Sequence, residues 1–202
     1  ASEARDERLL MPIILTQTDA AADDCTGAAS EKKATAGGTA GVTQVTLTFS
    51  AGPSTLQVDF QSINNEPNNA DWEDGDWTTR FEITTANKNI DWTSTRFKRI
   101  GPSTCDLLEQ IQADNADIRC SPAGVLSNVS TVNGWTAGAV TDEIVVIVNL
   151  SNATSMTQSL GFKPSQNIDT PLTQGAAGGD GTDFPWPQTY QPVQTPIAVI
   201  GY

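Results

Sequence analysis

Between residues 76 and 100 the chain twice sets large apolar side chains into a polar background. In Asp76–Thr85, Trp77, Phe81 and Ile83 occupy odd positions, with Thr78, Arg80, Glu82 and Thr84 between them. Period two, with one buried and one wet face, predicts a β-strand. Ala86-Asn87-Lys88-Asn89 supplies turn chemistry, and Ile90–Ile100, rich in Thr, Trp and Phe, follows as a second β-type run.

The same reading predicts strands over 42–50, 55–62, 76–85, 89–100, 124–132, 142–151 and 156–162. Val45, Leu47 and Phe49 alternate cleanly, as do Leu56, Val58 and Phe60. Glu143–Asn149 has no polar alternation, which predicts a central strand buried on both faces. Ser103-Thr104-Cys105-Asp106 resembles a capping box ahead of Leu107, Leu108 and Ile111, so one short helix of two or three turns is expected there. The expected fold class is all-β: an antiparallel β-sandwich or jelly roll of seven to eight strands with one short helix and extended N- and C-terminal arms. No repeat of 20 to 50 residues is visible, which disfavours a solenoid or propeller.

Three parts follow: an N-terminal arm (1–40), a β-sandwich domain (41–172) and a C-terminal extended tail (173–202). Apart from Ile13, Ile14 and Leu15, residues 12–40 are rich in Ala, Gly, Thr, Asp and Lys, too little apolar surface to offset ordering entropy alone. The tail passes from a Gly-rich stretch, 174–183, to Phe184-Pro185-Trp186-Pro187, where proline stiffens the chain, and reaches an apolar run at Pro196–Ile200. Ile13, Ile14, Leu15, Trp186, Ile197 and Val199 are therefore the candidate partner contacts. Residues 1–10 carry alternating charge without an apolar core and are not expected to act as a secretory signal, whereas Met11-Pro12-Ile13-Ile14-Leu15 looks like a protein start.

Charge and composition narrow the chemistry. The chain has 202 residues, only 11 Lys plus Arg, and a formal net charge of -13. Nucleic acid and anionic membranes are therefore not expected as partners, since both need clustered cations. No apolar run is long enough for a transmembrane helix. There is no histidine. Ser-His-Asp and Cys-His catalysis are thereby excluded, along with most zinc and non-haem iron sites. No cofactor, metal or catalytic residue is expected.

Among possible constellations, Trp72, Glu73, Asp74, Asp76 and Trp77 put carboxylates beside aromatic rings, as a glycan contact would, although Asp and Gly also serve an ordinary turn. Asp23-Asp24 and Asp180–Asp183 carry oxygen ligands but match no calcium-loop pattern. Asn128, Asn149 and Asn152 begin glycosylation sequons, a pattern common by chance. Cys25, Cys105 and Cys120 lack metal spacing. Cys105 and Cys120 are candidates for a disulfide worth roughly 3 kcal/mol, the alternative being two small apolar side chains; Cys25 is then free or pairs between subunits.

The segments Trp77–Ile90, Glu143–Val148 and Ser159–Leu172 resemble a group of small β-sandwich proteins found among tailed-phage virion and environmental sequences. The similarity spans about residues 72–172 and is carried by structural residues. It implies a non-enzymatic virion protein that decorates or cements a capsid, with the major capsid protein or other virion proteins and further copies of itself as partners. A carbohydrate-binding module of a secreted or surface protein and a subunit of an extracellular filament are the alternative expectations.

Overall fold

A computed structural model of the chain describes residues 13–22, 25–36, 38–62, 74–101, 104–136 and 142–170. They form eleven strands: β1 (Ile13–Ala21), β2 (Ser30–Ala36), β3 (Val45–Phe49), β4 (Ser54–Ser62), β5 (Gly75–Thr85), β6 (Ile90–Ile100), β7 (Leu107–Arg119), β8 (Gly124–Val132), β9 (Glu143–Asn152), β10 (Gln158–Lys163) and β11 (Asn167–Thr170). All the strands expected from the hydrophobic pattern are present. Four more, β1, β2, β7 and β11, raise the count above the expected seven or eight.

Hydrogen bonding links the strands into one path, β3-β10-β5-β11-β1-β2-β4-β9-β6-β7, with β8 added to the free side of β5. Every pairing is antiparallel except β2 with β4. Strands far apart on this path nevertheless touch through their side chains. Trp77 of β5 meets Phe97 of β6 with ring centroids 5.1 Å apart, and Phe81 meets Trp92 at 4.9 Å. The sheet therefore curls until the β5 face covers the β6 face, and the main core fills the space between with Phe49, Phe60, Trp77, Phe81, Phe97 and Phe162 among others. Tilted aromatic contacts of this kind add to the area they bury.

The alternation in β5 survives intact: Trp77, Thr79, Phe81 and Ile83 point inward. In β6 the inward set moves from Ile90 and Trp92 to Thr95 and Phe97, a change of phase absorbed by a bulge between Trp92 and Ser94. β9 lies between β4 and β6. Its Ile144, Val146, Val148 and Leu150 enter the main core, while Val145 and Ile147 join Ile100 and Cys25 in a second cluster on the opposite face. The apolar run is thus a central strand buried on both faces.

Two expectations are corrected. The helix after Cys105 is instead β7, and no helix occurs among the described residues. β6 offers an unpaired edge, so pairing with it satisfies more backbone groups than one isolated helical stretch does. The phase errors that made the sequence look helical are taken up by register shifts along β7 and by Asp117 at positive φ. The N-terminal arm is also not free over 13–21 and 30–36. β1 pairs with β11 and β2, and β2 pairs with β4. Backbone pairing supplies the stabilisation that the Ala- and Thr-rich sequence does not advertise.

Candidate assembly surface

The loop between β1 and β2 crosses the second face of β9. Ala29 N–H donates to the Gln57 carbonyl at 3.0 Å, the Thr26 hydroxyl donates to Asp59, and Cys25 is disulfide-bonded to Cys105 in the β6–β7 turn. This replaces the expected Cys105–Cys120 pairing. Those two cysteines sit at opposite ends of a hairpin in which Ile100 faces Leu107 and Asp91 faces Arg119, so about 30 Å of strand separates them. Cys120 is a buried free thiol, pushed up to about 12 chiefly by desolvation and then by the neighbouring Asp91 carboxylate. A thiol held so far from ionisation is inert.

The partner-contact candidates divide. Leu15 is in the main core and Ile14 is half-buried, so their apolar surface serves the fold; the Ile13 backbone pairs with Thr170. Next to them the buried Gln17 side chain donates to the Arg80 carbonyl, in the interval on β5 between its pairing with β10 and its pairing with β11. Trp186, Ile197 and Val199 lie outside the described residues, as do Trp72 and Glu73.

The remaining glycan candidates are committed to the fold. Trp77 is fully buried and packs on Phe97 and Trp135, so it offers no platform. Asp74 accepts the Trp135 N–H at 2.8 Å, and Asp76 accepts the Thr131 hydroxyl at 2.8 Å. The backbone N–H groups of Gly134 and Trp135 hold the Asp74 carboxyl below its ordinary value. The acidic turn ties the end of β8 to the start of β5. Sequon asparagines are likewise occupied: Asn128 donates to Thr95 and Ser130, Asn149 to Ser94, and the buried Asn152 to the Ser50 and Met156 carbonyls.

Among the exposed surfaces is the outer side of β8 and β5. Val125, Ser127, Val129 and Thr131 point outward from β8, opposite Glu82, Arg80, Thr78 and Asp76 of β5. Val125 is 50% and Val129 57% exposed. Two of the β5 charges are paired away from β8, Arg80 with Asp169 at 2.8 Å and Glu82 with Lys163 at 3.1 Å and with Ser165, while the third, Asp76, is held by Thr131 of β8 itself. The Ser165 hydrogen bond, ahead of the Lys163 charge, lowers the Glu82 carboxyl from its ordinary value. The result is a strand with a weakly charged, partly apolar face and, among the described residues, β5 as its only sheet neighbour. Residue patterning marked β8 as a strand, but its edge position depended on the pairing partners.

In comparisons with known proteins, no family model matches the chain and no curated protein matches it in sequence.

Proposed function

We propose that the chain is a non-enzymatic structural protein that assembles with copies of itself on a larger particle, as a decoration or cement component of a virion surface does. On this reading the curled sheet is a β-sandwich of jelly-roll type, a body supported by the aromatic contacts between β5 and β6. The observation that carries the proposal is the exposed β8 strand: nine regular residues without a charge, beside a β5 whose Arg80 and Glu82 are paired with β11 and β10. A soluble protein ordinarily blunts such an edge with lysine, proline or a bulge.

Two further features support the reading. The polar constellations that suggested chemistry are used in fold-stabilising hydrogen bonds, which suits a scaffold better than a catalyst. The Cys25–Cys105 disulfide suits an oxidising exterior, where bridges persist. The carbohydrate-binding alternative loses one of its candidate aromatic platforms with the burial of Trp77.

Sedimentation velocity of the full chain, alone and with purified capsid-protein shells, tests the proposal. Concentration-dependent oligomers and co-sedimentation with shells are expected. A monomer at every concentration that binds no shell but retains glycans would defeat it.

A further inference from the structure

Three strands have an open side among the described residues: β3, β7 and β8. β3 is only 5 residues long. β7 is long but interrupted by register shifts, and it carries Glu109, Asp114, Asp117 and Arg119. Bulges and charges are the usual protection of an edge. β8 has neither: Gly124–Val132 is in unbroken register with β5 and contains no charged residue and no proline.

Outside the described residues the sequence holds a further uncharged, β-type run. From Phe184 to Tyr202 the sequence has no charged side chain, and it includes Pro196-Ile197-Ala198-Val199-Ile200, a short β-type run. In a molecule of net charge -13, two copies approach at least cost where both surfaces are uncharged. The tail and the β8 edge meet that condition together.

We infer that residues 196–200 of one copy add as a strand to the open edge of β8 in a neighbouring copy, placing Ile197 and Val199 on the same face as Val125 and Val129. The inference rests on the assembly reading above and names its contact. The reach is ample. From Thr170, where β11 ends, to Ile197 the chain can extend roughly 90 Å, against a body about 40 Å across. A tail serving only its own β8 would need far less, since β11 and β8 flank the same strand, β5. Pro185, Pro187, Pro192 and Pro196 give residues 185–196 the composition of an extended spacer, and the Gly-rich stretch before them that of a flexible one. Main-chain hydrogen bonds provide the affinity and the alternate side chains the register. A tail-to-edge contact is heterologous, so it propagates into a ring or a filament.

The test uses two full-length variants, Val129→Lys at the edge and Ile197→Asp in the tail, followed by sedimentation velocity. Each alone should weaken self-association by about thirtyfold or more. An equimolar mixture should recover one contact and stop at a dimer, because the edge variant still donates a tail and the tail variant still offers an edge. Self-association unchanged in both variants overturns the inference while leaving assembly through another surface intact. A wild-type monomer up to about 100 µM overturns it as well. So does a monomer in which Ile197→Asp lowers hydrogen-exchange protection of β8, since the tail then caps its own edge. If Val129→Lys loses its cooperative melt, Val129→Thr keeps the β-propensity while removing apolar area and takes its place.

Discussion

β7 and β8 follow one another in sequence and both end a run of paired strands, yet their edges are handled in opposite ways. β7 is irregular in register, charged, and tied down at its start by the Cys25–Cys105 disulfide and by an ion network. In that network Arg99 of β6 reaches Glu109 of β7 at 3.0 Å and Asp142 at 3.2 Å. β8 is regular, uncharged and held by β5 alone among its sheet neighbours. The difference teaches that an edge is protected by what is done to its backbone and charge, not by where it falls in the chain.

The largest expected effect comes from removing what fastens the β7 side. The disulfide joins residues 80 apart, which in the chain-entropy model is worth about 4.5 kcal/mol. Cys105→Ser should therefore lower Tm by about 10–15 °C in calorimetry. A shift under a few degrees would mean that the β1–β2 loop is held by its other contacts, and the contrast with β8 would weaken.

Next comes the ion network. Arg99 and Asp142 are both nearly buried, so Arg99→Met leaves carboxylates facing each other without their cation. A loss of about 3 kcal/mol is expected in urea unfolding. The double variant Arg99→Met with Asp142→Leu should recover part of it, and its failure to do so would remove charge pairing from the account of this edge.

A smaller, pH-dependent effect separates the loop that covers β9 from the exposed β5 surface. Burial raises the Asp59 carboxyl above its ordinary value, against the hydrogen bonds from Thr26 and Gln57. Between the ordinary and the raised value the folded state holds the extra proton, so this group's contribution to stability declines as pH rises through that window. Asp59→Asn should gain on the wild type as pH rises from about 4 toward neutrality. A gap that does not change with pH would count against ionisation at this site. Glu82 has the opposite sign. Its lowered value gives stability that is present above the ordinary carboxylate range and fades as pH falls through the folded value.

The smallest stability effect is expected at the β8 edge. Val129 points outward, so Val129→Lys should change monomer stability by about 0.5 kcal/mol or less, measured by urea midpoint at concentrations where the chain is monomeric. A larger loss would show that the outer face of β8 supports the body, and the comparison with β7 would have to be redrawn.

Legibility in the sequence followed the strength of the local pattern. Trp77, Phe81 and Ile83 announced β5, and the unbroken apolar run of β9 announced a strand covered on both sides. β7 misled because Leu107, Leu108 and Ile111 have helical spacing, yet Leu107 and Leu108 remain largely exposed. Of the three only Ile111 packs against the core. Of the candidate site, the acidic turn was readable as a turn, while the roles of Asp74 and Asp76 in holding β8 depended on residues more than 50 positions away.

By itself, then, the sequence determined an all-β body, the places where its strongest strands run, and the absence of imidazole chemistry. Alternation and composition are local properties, and each is complete within a few residues. Tertiary structure alone decided that residues 13–21 and 30–36 join the sheet, that Cys25 rather than Cys120 meets Cys105, and that β8 keeps an open edge among the described residues. Those outcomes turn on which distant backbones pair and which ends of a hairpin lie together, and no local periodicity encodes either.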